Sequence, residues 1–180
     1  MASAEAARYK SAGRGVSLVV QRCEAAKESG ILDLKGCELI SFPDAIYVIL
    51  QEYEIKQLSL ARNKFKRFPK RLPEKFDKIQ VLSFKGNELT ELPEDLENFP
   101  KLKALDLAKN AFKEIPPFIL AQPQLKILNM ADNQIQSVDV EAMFAEEGKL
   151  QMLNLSGNPV DEASKEAIAN SPHKDKIKLD

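Results

Sequence analysis

The stretch LSLARNKFKRFP (residues 58–69) contains the frame on which this chain is built. It consists of two apolar residues separated by one position, a bend that carries an asparagine, and an apolar residue followed by proline. The frame occurs six times; the first four copies close with the apolar residue and proline, the fifth has Val138-Asp139 there, and the sixth stops short of it. The residues at its asparagine position are Cys37, Asn63, Asn87, Asn110, Asn133 and Asn158, at intervals of 26, 24, 23, 23 and 25 residues. A frame repeated in tandem at one period indicates a repeat protein.

Each position of the frame has a physical role. In a short strand, Leu58 and Leu60 point inward while the residue between them points to solvent. One coil cannot bury its own leucines, so parallel coils about 4.8 Å apart must stack over a shared core. The asparagines are expected to turn inward and form a ladder that satisfies buried backbone groups, with Cys37 tolerated beside an end cap. The apolar residues of the return segments should face the same core: Ile46, Leu72, Leu96 and Ile119.

The frame is that of the leucine-rich repeat, and the chain resembles the short intracellular leucine-rich-repeat class. Segments 28–50, 99–116 and 135–145 carry the resemblance, which runs from the first helix to Pro159. It implies an α/β solenoid with a parallel β-sheet on the concave face and short helices or 3-10 turns on the convex face. It also implies helical N- and C-terminal caps, and a small cytoplasmic protein without catalytic or metal-binding residues.

The sequence predicts a single domain over residues 1–180, in which residues 30–160 form six repeats. Residues 1–29 are an N-terminal tail and capping helix, and residues 161–180 are a C-terminal cap and tail. Within residues 15–28, an apolar stripe at helical spacing predicts a helix packed on the first coil. The stripe consists of Val16, Val19, Val20 and Cys23.

A second helix is predicted from Asp161 to Asn170, and it should place Ala163, Ala167 and Ile168 against the last coil. Ser171-Pro172 breaks this helix. The tail that follows is expected to fray, except at Ile177 and Leu179.

Composition favours a protein that works in the cytosol. The formal net charge is −1, so no overall charge attracts the chain to nucleic acid or to an anionic membrane. The first residues lack the apolar core of a signal peptide, and no apolar run reaches the length of a membrane span. Cys23 and Cys37 are too few for a disulfide framework and are expected to be reduced. We therefore expect a cytoplasmic location, with the nucleus open to a protein of this size.

The concave face of the sheet is the expected binding surface, because its outward side chains form columns across the coils. The central column is small and polar, with Asp33, Ser59, Ser83, Asp106, Asn129 and Asn154. The preceding column is apolar at five of six positions, with Ile31, Gln57, Val81, Ala104, Ile127 and Met152. Two interpretations remain open: these are ordinary β-forming residues, or they form a stripe that binds a partner. Lysines lie in neighbouring columns: Lys56, Lys103, Lys126, Lys35 and Lys85.

A basic stretch at residues 62–71 contains six basic residues in ten and suggests an alternative, the binding of RNA or anionic lipid. Comparison between repeats favours a structural role. In register, Lys64 is expected between Glu38 and Glu88. In the same way, Lys70 is expected between Asp44 and Glu94.

Residue types needed for catalysis are scarce. The single histidine, His173, cannot form a histidine-based triad or a histidine-rich metal site. No phosphate-binding loop is present. We expect no enzyme activity, no catalytic or metal site, no cofactor and no small-molecule substrate. The expected function is that of a monomeric adaptor, scaffold or regulatory binder that holds a helix or an extended segment of a protein partner, with no role for nucleic acid or membranes.

Overall fold

The computed structural model describes residues 17–94, 99–120, 122–144 and 150–180. Seven short parallel strands in these residues form one sheet in chain order, β1 to β7. Their bounds are β1 Ile31–Asp33, β2 Gln57–Ser59, β3 Val81–Ser83, β4 Ala104–Asp106, β5 Ile127–Asn129, β6 Met152–Asn154 and β7 Ile177–Lys178. Equivalent repeat positions pair directly, so Leu58 lies between Leu32 and Leu82. The predicted α/β solenoid is confirmed.

Short helices lie between the strands and at both ends of the stack. They are α1 (17–29), α2 Asp44–Ile49, α3 Leu72–Lys75, α4 Pro117–Leu120, α5 Val140–Met143 and α6 Glu162–Asn170, with a 3-10 turn at Lys174–Lys176. Prolines mark where two of them begin. Pro43 is the N-cap of α2, and α4 begins at Pro117. Proline suits these positions because its fixed φ matches the first turn and its missing N–H has no partner to lose there.

The core lies between the sheet and the return segments. The frame leucines are almost fully buried, with Leu58 exposed by only 2% and Leu60 by 0%. From the return segments, Ile46, Leu72 and Ile119 join the same cluster, as predicted. Leu96, the fourth member of that prediction, lies outside the described residues. No coil encloses its own apolar residues, so the core exists only when the coils are stacked.

Asparagine side chains join each coil to the one before it. The Nδ2 group of Asn87 donates to the carbonyl of Phe84 in its own coil (2.8 Å) and to that of Leu60 in the preceding coil (3.0 Å). Its Oδ1 accepts the N–H of Phe65, also in the preceding coil (3.0 Å). The same three bonds recur at Asn63, Asn110, Asn133 and Asn158. The predicted ladder is therefore present.

Cys37 occupies the first rung, where the described residues contain no earlier coil for an amide to bind. Its Sγ instead accepts from Nη1 of Arg22 in α1, at 3.3 Å. Burial raises the pKa of the Cys37 thiol, with an opposing effect from the Arg22 guanidinium and a smaller raising effect from Asp33. Cysteine therefore replaces asparagine at the rung where, among the described residues, the two asparagine bonds that reach the preceding coil would have no partner.

The residue before the asparagine position has a positive φ in all six frames. Three of these residues are glycines, with φ of 68° to 72°, and three are not: Arg62 (55°), Lys109 (58°) and Asp132 (56°). In the first five coils, the N–H of this residue donates to a carbonyl of the next coil, as from Lys109 to Ala131 (2.8 Å). The left-handed conformation costs a non-glycine residue about 1 kcal/mol, so coil stacking here overrides local preference.

At the two ends of the stack, charged side chains bond to the backbone groups that elsewhere in the stack pair with a neighbouring coil. Among the described residues no earlier coil donates to the carbonyl of Lys35, and this carbonyl accepts from Arg22 Nη1 at 2.7 Å instead. The N–H of Gly157, whose equivalents donate to the next coil, donates to the Asp180 carboxylate at 2.8 and 3.0 Å. Both ends of the described solenoid therefore replace a missing coil with a side chain of the appropriate charge.

The N-terminal cap differs in detail from the prediction. Val19 is partly buried and Cys23 fully buried, as expected, but Val20 is 43% exposed and its place is taken by Ala26. Positions 19, 23 and 26 lie on one helical face, whereas position 20 is turned about 100° from position 19. Val16 lies outside the described residues.

At the other end, the inward face of α6 was predicted correctly at Ile168 but wrongly at Ala163 and Ala167. Ala163 and Ala167 are exposed, and Ser164 and Ile168 are the buried residues. Ser164 Oγ accepts the N–H of Val138 at 3.0 Å. A polar residue is therefore inward because it satisfies a backbone group that the fifth coil leaves open.

The expectation that the C-terminal tail frays except at Ile177 and Leu179 was right for these two residues and wrong for those beside them, because Lys174–Lys176 form a 3-10 turn and Lys178 lies in a strand. Ile177–Lys178 forms β7, which pairs with β6 through Leu153 and Asn154. Ile177 is buried at 8% exposure, and Leu179 packs against the core. Ile-Lys-Leu has the apolar-x-apolar pattern of the frame, and this is enough to extend the sheet.

Asn87→Ala should lower the free energy of unfolding by about 2–4 kcal/mol, because it leaves the buried N–H of Phe65 without its acceptor and removes one of the two asparagine donors from each of the carbonyls of Leu60 and Phe84. Cys37→Ala is the matched control at the first rung and should cost less than about 1 kcal/mol. Urea denaturation monitored by circular dichroism measures both values. Equal losses for the two variants would contradict the role given to the asparagines.

Lys109→Gly should raise the free energy of unfolding by about 0.5–1 kcal/mol, because glycine adopts the positive φ without strain. Gly86→Ala is the mirror experiment and should lower it by about 1 kcal/mol. The added methyl group of that variant would make only ordinary van der Waals contact, with the nearest atom, Arg62 Cγ, 3.7 Å away, so the backbone conformation is what is tested. Shifts of the melting temperature with the opposite signs would show that the positive φ does not constrain the residues at these positions.

Candidate functional site

Four large apolar side chains lie exposed in one line across the outer sheet face, the face opposite the buried leucines. We call the line the apolar column; its members are Ile31, Gln57, Val81, Ala104, Ile127 and Met152, in direct register. The exposed fractions of Ile31, Val81, Ile127 and Met152 are 48%, 39%, 42% and 52%. The predicted column is therefore formed, and it faces solvent. From β1 to β6 it is about 24 Å long.

A second column runs beside it, with Asp33, Ser59, Ser83, Asp106, Asn129 and Asn154 in register. In this polar column, Asp106 Oδ1 accepts the N–H of Ala108 at 3.1 Å, and Asn129 Oδ1 accepts that of Ala131 at 3.2 Å. Asp33 and Asn154 make the equivalent bond to the residue two positions on. These side chains hold the turn after each strand, a role that the sequence prediction missed.

Lysines border the apolar column on its other side. Lys56, Lys103 and Lys126 are all exposed, and Lys103 Nζ donates to Gln80 Oε1 at 3.1 Å. Beyond the polar column, Lys35 is exposed and Lys85 is partly exposed. The apolar column therefore has cations on one side and, on the other, a polar column that includes the carboxylates of Asp33 and Asp106.

The basic stretch at residues 62–71 is largely engaged in contacts with neighbouring coils. Lys64 pairs with Glu38 at 3.7 Å, as predicted. The other predicted pairs are shifted: Glu88 is paired with Lys66 at 3.7 Å, and Asp44 with Arg71 at 2.8 Å. Arg71 also lies over the Tyr47 ring, 5.0 Å from its centroid. This cation–π contact favours Arg71 over Lys70 as the partner of Asp44.

The described clefts do not include the columns. One lies at the C-terminal end beside Phe144 and His173, whose rings stack at 4.4 Å. Another lies beside Ile40 and Phe68, next to the basic stretch. An open sheet face cannot enclose a small molecule, so the columns are suited to a macromolecular partner.

Titratable and metal-binding groups do not converge in the described part of the chain. No group of three or more His, Cys, Asp or Glu side chains is arranged there to hold a metal ion. Burial raises the pKa of Tyr47 to about 12, against the opposing effect of Arg71. Burial likewise raises the pKa of the Cys23 thiol. Within the same residues, no helix is long and apolar enough to cross a bilayer.

Two solved structures are similar to this fold. The first is described as the crystal structure of a TLR13–ssRNA13 complex; it is 27% identical, with a TM-score of 0.63, over 83% of this chain and 20% of that one. The second is the BIR2 ectodomain from Arabidopsis thaliana, 22% identical with a TM-score of 0.54, over 72% of this chain and 67% of that one. The second likeness concerns the fold alone.

Two curated proteins are similar in sequence, and both are named leucine-rich repeat-containing protein 20. The Mus musculus protein is 32% identical over 90 residues, which cover 48% of this chain and 49% of that protein. The Homo sapiens protein is 34% identical over 91 residues, with coverage of 48% and 50%. The chain spans about half the length of these relatives.

The family model described as leucine rich repeat matches residues 54–112 and 100–160. Together these matches run through coils two to six, which is more than half of the 180 residues. The matched range contains five strands of the sheet and five rungs of the asparagine ladder. The chain therefore belongs to the leucine-rich repeat family, whose domains generally serve as protein-interaction modules.

Proposed function

We propose that this protein is an intracellular adaptor or regulatory binder that holds a helix or an extended segment of a protein partner on its apolar column. The observation that carries the proposal is the alignment of Ile31, Val81, Ile127 and Met152 in register on the outer sheet face. Single exposed apolar residues are ordinary. Four along one column, with only Gln57 and the small Ala104 between them, form a surface whose burial would be favourable.

The dimensions of the surface support a macromolecular partner. A column of about 24 Å, with its two flanks, provides on the order of 800 Å² for one partner, the area of a standard protein interface. Because the lysines and carboxylates lie beside the apolar residues, a partner could bury the centre while those charges stay hydrated.

The proposal includes the cytosol as the place of action and a monomer as the working form. Cys23 and Cys37 support a reducing compartment, because both are free thiols in a chain that uses no disulfide among its described residues. Nothing in the proposed binding mode needs a second copy of the chain.

A polyanion such as RNA is the runner-up partner, and the basic stretch at residues 62–71 would bind it. The similar TLR13 structure is described as a complex with ssRNA13, and this is a reason to test the alternative. Against it, Lys64, Lys66 and Arg71 already have carboxylates nearby. Three of the six basic groups would have to exchange these contacts for phosphates.

The double variant Val81→Glu/Ile127→Glu should abolish partner capture, because it buries two carboxylates at the centre of the interface. Its melting temperature should stay within a few degrees of wild type, since both side chains are exposed. Ile40→Glu/Val48→Glu is the matched control, with exposures of 74% and 67% outside the columns. Affinity capture from cytosol with quantitative mass spectrometry compares the three proteins. Partners retained by both double variants alike would contradict the proposal.

Salt distinguishes the two candidate functions. Capture through the apolar column should change by less than about tenfold between about 50 and 200 mM salt, because it depends mainly on apolar burial. Binding of single-stranded RNA through six basic groups should weaken by about two to three orders of magnitude over the same range. Fluorescence anisotropy with a labelled RNA and with a captured partner measures both. A steep salt dependence of the captured partner would favour the polyanion interpretation.

A further inference from the structure

We infer that the partner segment on the apolar column is an amphipathic α-helix that carries acidic residues along the lysine flank. This inference rests on the proposed function and gives it a chemical definition. It depends on three properties of the outer sheet face: the state of the sheet's backbone groups, the spacing of its coils, and the arrangement of charge beside the apolar column.

The backbone of the sheet has few N–H and C=O groups left to pair with an extended partner. In the parallel ladder, N–H and C=O groups of each strand bond to the neighbouring coils, as from Leu60 to Ser83 (2.7 Å) and from Lys103 to Gln80 (2.8 Å). In the polar column, Asp106 and Asn129 each commit an oxygen to their own turns. An extended segment laid across the coils would bury N–H and C=O groups that find few partners. A helix satisfies its backbone groups internally.

The spacing of the coils also favours a helix. Side chains in the apolar column repeat every 4.8 Å or so, from one strand to the next. One turn of a helix advances 5.4 Å, so successive turns can place apolar residues on successive coils. Same-side residues of an extended chain repeat about every 6.6–6.8 Å and fall out of step with neighbouring coils. A helix of about 16 residues matches the column of about 24 Å from Ile31 to Met152.

The charges beside the apolar column indicate which flank of the helix is acidic. Lys56, Lys103 and Lys126 lie along the same side of the column, and within the described residues none of the three forms an ion pair with a carboxylate. Carboxylates spaced one turn apart on a helix would face these ammonium groups. On the opposite side, Asp33 and Asp106 are suited to basic or amide side chains.

A displayed library of random 16-residue peptides tests the inference with the full chain as bait and the Val81→Glu/Ile127→Glu variant for counter-selection. Peptides that depend on the column should carry apolar residues at helical spacing, three and four positions apart, and an excess of Asp and Glu. The strongest peptide is then synthesised for titration. Lys103→Glu/Lys126→Glu should weaken its binding by at least about tenfold. Lys70→Glu/Lys113→Glu makes the same change of charge at exposed residues away from the column, and it should have less than about a twofold effect.

Each outcome decides a separate question. Column-dependent peptides with alternating apolar residues would overturn the helix inference, and an excess of Lys and Arg would overturn the acidic flank; both outcomes would leave the proposed function standing. Equal weakening by the two lysine variants would overturn the acidic flank. If no library peptide distinguishes the wild-type protein from the Val81→Glu/Ile127→Glu variant, the proposed function itself is contradicted.

Discussion

The stack depends on one constraint: the backbone groups at the bend after each strand must be paired although they are buried. An asparagine amide meets this constraint because it donates and accepts at the same time, and Asn87 does so across two coils. A coil with an unpaired bend would lose several kcal/mol. The ladder therefore fixes the register of the leucines, and with it the register of every column on the outer sheet face.

The outer sheet face follows from this interior. Because β1 to β6 are held in direct register, the variable position before the first frame leucine becomes a line of side chains. The interior residues of that frame pack the core, and the polar side chains after the strands hold the turns. The side chains of the apolar column have neither of these structural roles. Its composition is therefore free to serve a partner, and this freedom is the physical basis of the proposed function.

The repeat frame was sufficient to predict the sheet, the core and the ladder, because each depends on a pattern that recurs at one period. Details without that periodicity were missed. The positive φ of Lys109 is imposed by the next coil, although Gly36, Gly86 and Gly157 at the same position offered a signal. Ser164 turns inward to meet an open backbone N–H, which an apolar pattern cannot reveal. For the site, the columns were predictable, but the turn-holding role of Asp106 was not.

Amide hydrogen exchange at five loop positions tests the ladder most directly. The N–H groups of Leu39, Phe65, Leu89, Phe112 and Ile135 each donate to an asparagine Oδ1 of the following coil. These residues lie outside the strands, so the hydrogen bonds of the sheet do not protect them, and without the ladder only the burial of side chains such as Phe65 and Leu89 would slow their exchange. The account predicts that they exchange as slowly as the strand amides, near the rate of global unfolding. Exchange at the rate of an exposed loop would show that the asparagines do not hold the coils together.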